Sequence, residues 1–126
     1  MRFEHFALNV TAPHALAAWY QQHLGFQLAR DVGGPTQTLF LADHSGRVVV
    51  ELYHNPAAPV PDYAAMHHLV FHFAVVSDDA PNDAARLERA GATLVEEVAP
   101  PDGSRLFMLR DPWGICVQLC QRAMPL

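Results

Sequence analysis

The sequence is poor in positive charge and in cysteine, and it lacks any long apolar run. Its 126 residues include 8 Lys and Arg against 13 Asp and Glu, which gives a formal net charge of −5. Because no basic cluster is present to neutralise phosphates, the composition argues against a nucleic-acid or membrane partner. The N-terminus has no signal-peptide pattern, and no segment has transmembrane length. These absences predict a cytoplasmic protein.

The cysteines are few and badly placed for a disulfide. Cys116 and Cys120 lie four residues apart on a predicted strand, which separates them by about 13 Å at the usual rise per residue. They are predicted to be reduced core residues. A hydrophobic fraction of 51% with 17% charged residues is typical of a globular protein. The length fits one domain spanning residues 1–126.

What the chain does contain is an internal repeat. The tetrapeptide HFAL at residues 5–8 recurs as HFAV at residues 72–75, an offset of 67. The same offset relates VEL at residues 50–52 to VQL at residues 117–119. A fixed period indicates two copies of one supersecondary unit that bury their apolar faces together.

Each copy has the pattern of a β-α-β-β-β module. The first copy is predicted to have a strand at 2–10, a helix opened by Thr11-Ala12-Pro13 and ended by Gly25, and strands at 26–32, 36–42 and 47–53. The second is predicted to have a strand at 68–76, a helix at 79–90, and strands at 93–99, 105–110 and 115–120. Thr11 is a candidate helix cap, and Phe40 and Phe107 share the offset of 67.

The predicted fold class is α+β, with the two modules forming a curved mixed sheet around a cleft. Module one covers residues 1–54 and module two covers residues 68–126. The Pro/Ala-rich segment 55–67 is an extended linker between them.

Polar side chains recur in otherwise apolar strands, and these are candidate metal ligands: His5, Glu51, His72 and Gln118. Side chains alternate faces along a strand, so residues two apart share a face. This parity adds three candidate cleft residues: Asn9, Tyr53 and Cys116.

A purely structural role for these residues is the alternative to a metal site. A single histidine on an apolar strand is usually a hydrogen-bonded core residue. A carboxylate such as Glu51 needs a partner when buried. A metal ion would supply that partner, and so would a protonated histidine or an arginine of the second module, Arg105 or Arg110. His67 or His68 could also replace His72 if the strand register slips.

The chain resembles the vicinal oxygen chelate superfamily, which contains glyoxalase I, bleomycin-resistance proteins, type I extradiol dioxygenases and methylmalonyl-CoA epimerase. The resemblance is carried by HFALNV at 5–10, WYQQHLGF at 19–26, HFAV at 72–75, ARLERAGA at 85–92 and RLFMLRDPWG at 105–114. It spans nearly the whole chain, and it specifies the fold better than the reaction.

The resemblance implies one divalent transition metal per site, which is Fe, Ni, Co, Zn or Mn, held by His5, Glu51, His72 and Gln118. Glyoxalase-like members often have Glu where this chain has Gln118. An amide oxygen can ligate a metal but cannot act as a general base. Glu51 is therefore the candidate catalytic proton shuttle. The family commonly builds its sites in homodimers, so a homodimer is expected.

The expected function is that of a metal-dependent lyase or isomerase of the glyoxalase type. Its substrate would be a small molecule that chelates the metal through adjacent oxygens. One alternative is a single-domain extradiol dioxygenase using Fe(II), although Gln118 occupies the position of that family's carboxylate ligand. Another is a metal-free, bleomycin-resistance-type protein that binds a small molecule without chemistry.

Overall fold

Both halves of the chain fold as β-α-β-β-β units, as the repeat predicts. The computed structural model describes residues 1–126 and divides into unit 1, Met1–Pro61, and unit 2, Asp62–Leu126. The boundary falls inside the predicted linker. No helix in the structure is both long enough and apolar enough to cross a membrane.

Unit 1 consists of β1 (Phe6–Asn9), α1 (Pro13–Leu24), β2 (Gln27–Gly33), β3 (Thr38–Ala42) and β4 (Val48–Tyr53). Its sheet has the order β1-β4-β3-β2, in which β1 is parallel to β4 and the other neighbours are antiparallel. Leu16 and Tyr20, four residues apart on α1, are fully buried, as are Leu41 and Leu52 of the sheet. This i, i+4 stripe is what holds the helix on one sheet face.

Unit 2 consists of β5 (Phe73–Val76), α2 (Ala80–Arg89), β6 (Thr93–Val98), β7 (Arg105–Arg110) and β8 (Cys116–Gln121). Its sheet order, β5-β8-β7-β6, repeats that of unit 1. Leu87 of α2 is buried together with Phe107, Leu109 and Leu119 of the sheet. In both units we call the sheet face that does not carry the helix the helix-free face.

The strands that precede the helices are shorter than predicted. β1 begins at Phe6 and β5 at Phe73, so His5 and His72 lie immediately before their strands. The cause is pairing, since β5 is an edge strand whose only partner, β8, begins at Cys116. Residues 68–71 have no strand opposite them and form turns instead.

Two further sequence predictions were wrong in detail. Thr11 does not cap α1, because the N-cap residue is Ala12 and no side chain caps this helix. Phe40 and Phe107 are not equivalent either. Phe40 pairs with Glu51, whereas the residue that pairs with Gln118 is Met108. The two connections, residues 43–47 and 111–115, are equally long, but the β3–β4 pair has a register irregularity between Leu41 and Ala42 that the β7–β8 pair lacks. Phe107 therefore takes a buried position beneath the helix.

Candidate functional site

His5 and Glu51 meet on the helix-free face of unit 1. Glu51 lies on β4 opposite Ala7 of β1, and alternation along the chain puts His5 on the same side as Ala7. The His5 Nε2 and Glu51 Oε2 atoms are 3.2 Å apart, and both side chains are about three-quarters buried. The edge of the Phe40 ring packs against the imidazole at 5.5 Å between centroids. We call His5 and Glu51 the first half-site.

The other ring nitrogen of His5 is poorly satisfied. His5 Nδ1 is buried, and it has no hydrogen-bond partner of acceptable geometry. The Glu4 carboxylate lies close by, with Oε2 3.0 Å away, but outside hydrogen-bond geometry. For Nε2 to bind a metal ion, the proton of the neutral imidazole must reside on Nδ1.

The spacing of the first half-site suits a shared metal ion. Two donor atoms each about 2.1 Å from one ion lie about 3.0 Å apart at a right angle and about 3.4 Å apart at the tetrahedral angle. The observed separation of 3.2 Å falls between these values. The imidazole and carboxylate donor set also suits a first-row transition metal.

The second half-site consists of His72 and Gln118 on unit 2. His72 Nδ1 lies 2.9 Å from the backbone carbonyl oxygen of His68. Because a carbonyl only accepts, Nδ1 carries the proton, and Nε2 of the neutral ring keeps a lone pair. Gln118 lies on β8 opposite Ala74, the register position that Glu51 occupies in unit 1. Its Oε1 accepts a weak hydrogen bond from Cys120 Sγ at 3.2 Å.

Neither half-site is a complete metal site by itself. No group of three or more His, Cys, Asp or Glu side chains in the structure gathers closely enough to hold a metal ion. Each half-site offers one imidazole and one oxygen donor.

The predicted cleft residues have other partners. Asn9 Nδ2 donates to the carbonyls of Asn55 and Ala58 at 3.1 and 3.0 Å, and Asn9 Oδ1 accepts from Asn55 N. These bonds fasten the start of the linker to β1. Tyr53 is half-buried beside Asn9 in the β1–β4 register. That these residues contact a substrate stays a prediction.

The two thiols are free and inert in character. Cys116 and Cys120 are both buried and form no disulfide, as the sequence predicts. Burial raises the pKa of both thiols, which keeps them protonated and unreactive at neutral pH. Cys116 Sγ lies 3.9 Å from Met108 Sδ. Cys116 therefore packs as a small apolar residue, and its predicted cleft role stays untested.

The structure adds a pair that the sequence analysis missed, His68 and Glu96. His68 Nε2 is 2.8 Å from Glu96 Oε2. Glu96 pairs across the sheet with Met108, and Met108 pairs with Gln118, so the three residues form one row on the helix-free face. Strand parity alone could not reveal this, because a register irregularity between Leu94 and Glu96 shifts the face that Glu96 takes.

The sequence matches the family model described as Glyoxalase/Bleomycin resistance protein/Dioxygenase superfamily over residues 2–119. No curated protein sequence matches the chain.

Solved structures share the fold. A glyoxalase family protein from Bacillus cereus aligns with a TM-score of 0.78 at 16% identity, covering 98% of this chain and 95% of its own. An antibiotic binding protein from Streptomyces sp. CB03234 aligns with a TM-score of 0.66 at 21% identity, covering 97% of this chain and 96% of its own.

A glyoxalase I mutant from Zea mays aligns with a TM-score of 0.74 at 25% identity, covering 98% of this chain but 46% of its own. This chain thus spans about half the length of the maize protein. With the family model covering nearly its whole length, the chain belongs to the Glyoxalase/Bleomycin resistance protein/Dioxygenase superfamily.

Proposed function

We propose that the protein is a metal-dependent lyase or isomerase of the glyoxalase type, acting on a small molecule with adjacent oxygen atoms. The observation that carries this proposal is the first half-site. There an imidazole nitrogen and a carboxylate oxygen stand 3.2 Å apart, at the spacing of two ligands of one ion. The proposed ligands are His5, Glu51, His72 and Gln118.

The bound metal would act as a Lewis acid that polarises a substrate carbonyl and stabilises the oxyanion that develops. His5 and His72 would hold it through Nε2. For His72 the hydrogen bond to the His68 carbonyl already holds the matching tautomer. Phe40, packed against His5, excludes water from one side of the ring.

Glu51 is the residue that moves the proton. It is the carboxylate of the first half-site, and its counterpart in the second half-site is the amide of Gln118. Since an amide cannot take up a proton at neutral pH, a carbon-bound proton of the substrate is taken up and returned by Glu51 alone. Gln118 binds and orients without taking part in the proton transfer.

Metal content is the first test. Tag-free protein purified without chelator would be reconstituted separately with Fe(II), Ni(II), Co(II), Zn(II) and Mn(II), and bound metal measured by elemental analysis. The wild type is expected to retain about one ion per pair of half-sites, and the His5→Ala/His72→Ala double variant is expected to retain none. A His14→Ala/His44→Ala double variant, which alters two exposed histidines, is the matched control. If no ion is retained by the wild type, the proposal is wrong.

Proton transfer is tested with the loaded protein. A panel of small α-hydroxyketones in D2O would be followed by NMR for exchange of the carbon-bound proton. Exchange is expected with the wild type and lost in Glu51→Gln, while Glu97→Gln, on an exposed strand, retains it. Exchange that survives in Glu51→Gln would contradict the role of Glu51. Oxygen uptake with catechols under Fe(II) would favour the dioxygenase alternative instead.

A second candidate function is small-molecule binding without chemistry. One structural neighbour is an antibiotic binding protein. The specific observation in its favour is the uncharged second half-site, whose Gln118 amide already accepts a hydrogen bond from Cys120. This candidate predicts a protein that retains no metal yet binds an apolar or cationic drug in equilibrium dialysis.

A further inference from the structure

We infer that Glu96 and His68 are positioning residues for the second half-site: they fix the backbone carbonyl that sets the tautomer of His72. This inference rests on the proposed function, because it concerns how one of the proposed ligands is prepared to bind. Sequence spacing does not reveal that Glu96, His68 and His72 are connected. They are connected by two consecutive contacts within unit 2.

The first contact joins β6 to the segment that precedes β5. His68 Nε2 lies 2.8 Å from Glu96 Oε2, and the His68 side chain is only 14% exposed. Residues 68–72 are not part of a strand, so no ladder of backbone hydrogen bonds fixes them. The Glu96 carboxylate therefore anchors this segment through a side chain. The ring of His67 stacks on that of His68 at 4.3 Å and limits its rotation further.

The second contact joins the same segment to the proposed ligand. The His68 carbonyl oxygen lies 2.9 Å from His72 Nδ1 and accepts a hydrogen bond from it. The turn between them is closed by a hydrogen bond from Val70 N to the His67 carbonyl at 2.9 Å. The direction of the His68 carbonyl thus depends on how firmly residues 67–70 are held. In metal sites, such partners of the remote imidazole nitrogen fix both the ring orientation and the tautomer.

Unit 1 has no such arrangement, which indicates that the contacts are particular to the second half-site. In unit 2, Glu96 pairs with Met108, which pairs with Gln118. The corresponding row of unit 1 is Arg30, Phe40 and Glu51, so Arg30 occupies the position of Glu96. At the repeat offset of 67, His68 corresponds to Met1. His5 Nδ1 lies instead beside the exposed carboxylate of Glu4. His5 Nδ1 therefore lacks a hydrogen-bonded acceptor comparable to the His68 carbonyl.

The test uses metal-free protein, so that it does not depend on the proposed function. Long-range 1H–15N correlation spectra report which nitrogen of His72 carries the proton. The wild type is expected to show the Nδ1–H tautomer. Glu96→Ala and His68→Ala, which keep the backbone carbonyl but release the segment, are expected to show a mixture of the two tautomers. Glu97→Ala is the matched control, since Glu97 is the next residue of the same strand and pairs with Arg105 instead.

Coupling and metal affinity complete the experiment. Loss of such a partner lowers metal affinity by about 10- to 100-fold in known sites. We expect a fall in that range for each single variant and no further fall for the Glu96→Ala/His68→Ala double variant, because both changes break one contact. If the His72 tautomer is unchanged in Glu96→Ala and in His68→Ala, the inference is overturned. If the wild type binds no metal but Glu96→Ala and His68→Ala show the expected change of tautomer, the proposed function is overturned and this inference stands.

Discussion

The two units share a backbone plan and a histidine position but differ in the charge opposite that histidine. In unit 1 the residue facing Ala7 across the β1–β4 pair is Glu51. In unit 2 the residue facing Ala74 across the β5–β8 pair is Gln118. The two side chains are nearly the same size, so the replacement leaves the packing alone and removes one negative charge. The comparison teaches that the repeat preserves the register position of the two oxygen-bearing side chains, while only unit 1 has a carboxylate there.

Exchanging the two oxygen donors should have the largest effect. Glu51→Gln makes both half-sites neutral, and we expect metal affinity to fall more than about 100-fold, beyond the loss typical of indirect partners. Gln118→Glu adds a charge to the second half-site and should raise affinity. Competition titration against a chromophoric chelator measures both.

Glu97→Gln is the control for the charge change itself, since Glu97 pairs with Arg105 and belongs to neither half-site. Equal affinities for Glu51→Gln and the wild type would show that the contact between His5 and Glu51 is an ordinary ion pair. The proposed metal site would then be wrong.

Equivalent core positions offer a comparison in which the units should behave alike. Leu52 and Leu119 are separated by the repeat offset, and they are 0% and 3% exposed. Truncating either to alanine should lower the free energy of unfolding by about 2–5 kcal/mol through lost burial and a residual cavity. Urea denaturation followed by circular dichroism measures the change. A negligible loss at one position and a large loss at the other would mean that the units are not equivalent in packing.

The repeat predicts the topology well, and the physical reason is that periodicity reports which residues must face a core. The offset between HFAL and HFAV identifies the two β-α-β-β-β units, and the match of Glu51 to Gln118 is confirmed in the register. The residue at which a strand begins depends on its partner strand and cannot be predicted from the local sequence. β5 begins at Phe73 because its only partner, β8, begins at Cys116.

The sequence could not reveal Glu96 for a related reason. A register irregularity in the β6–β7 pair decides which face Glu96 takes, and a turn at 67–70 brings His68 to it. A register irregularity between Leu41 and Ala42 in the β3–β4 pair likewise makes Met108, and not Phe107, the structural equivalent of Phe40. Such details depend on turn geometry and pairing, which a pattern of apolar residues does not specify.

The helix caps offer a smaller test. Ala12 and Asp79 precede their helices with almost the same backbone, with φ of −143° and −142° and ψ of 75° in both. Asp79 accepts a hydrogen bond from Asn82 N, whereas Ala12 has no side chain to do so. We expect Asp79→Ala to lower the free energy of unfolding by about 1 kcal/mol and Ala12→Asp to raise it by a similar amount. Thermal or urea unfolding measures both changes.

Ala12→Ser is the companion variant, because a serine offers a cap without a charge. If Ala12→Asp stabilises and Ala12→Ser does not, the gain comes from the helix dipole instead of the hydrogen bond. No gain from either would mean that Pro13 at the first helical position already fixes the start of α1.

An effect that should vanish at low pH concerns a polar pair beside the second helix. Ser77 Oγ donates to Asp83 at 2.7 Å, and Arg86 also donates to that carboxylate. At the repeat offset the corresponding residues of unit 1 are Val10 and Leu16, both buried. Unit 2 thus has a hydrogen-bonded polar pair at the positions where unit 1 has two buried apolar residues.

That difference should make the polar contact sensitive to pH. Burial by itself raises the pKa of Asp83, but the Ser77 hydroxyl and the Arg86 guanidinium outweigh it and lower the pKa below its usual value. A carboxyl with a lowered folded-state pKa stabilises the fold fully above its unfolded value of about 3.9, and the stabilisation is lost as pH falls through the folded value. Asp83→Asn should therefore lower the free energy of unfolding by about 1 kcal/mol at pH 7 and by progressively less below about pH 4.

Urea unfolding of Asp83→Asn and wild type across this range measures the difference, with the exposed Asp78→Asn as control. Asp43 and Asp102 also have lowered pKa values, each held down by a neighbouring serine. Because the wild type and Asp83→Asn both contain these residues, their contribution cancels in the difference between the two free energies of unfolding. A deficit that stays constant down to low pH would assign the effect to lost packing. Unit 2 would then resemble unit 1 here, with shape rather than charge holding the helix to its sheet.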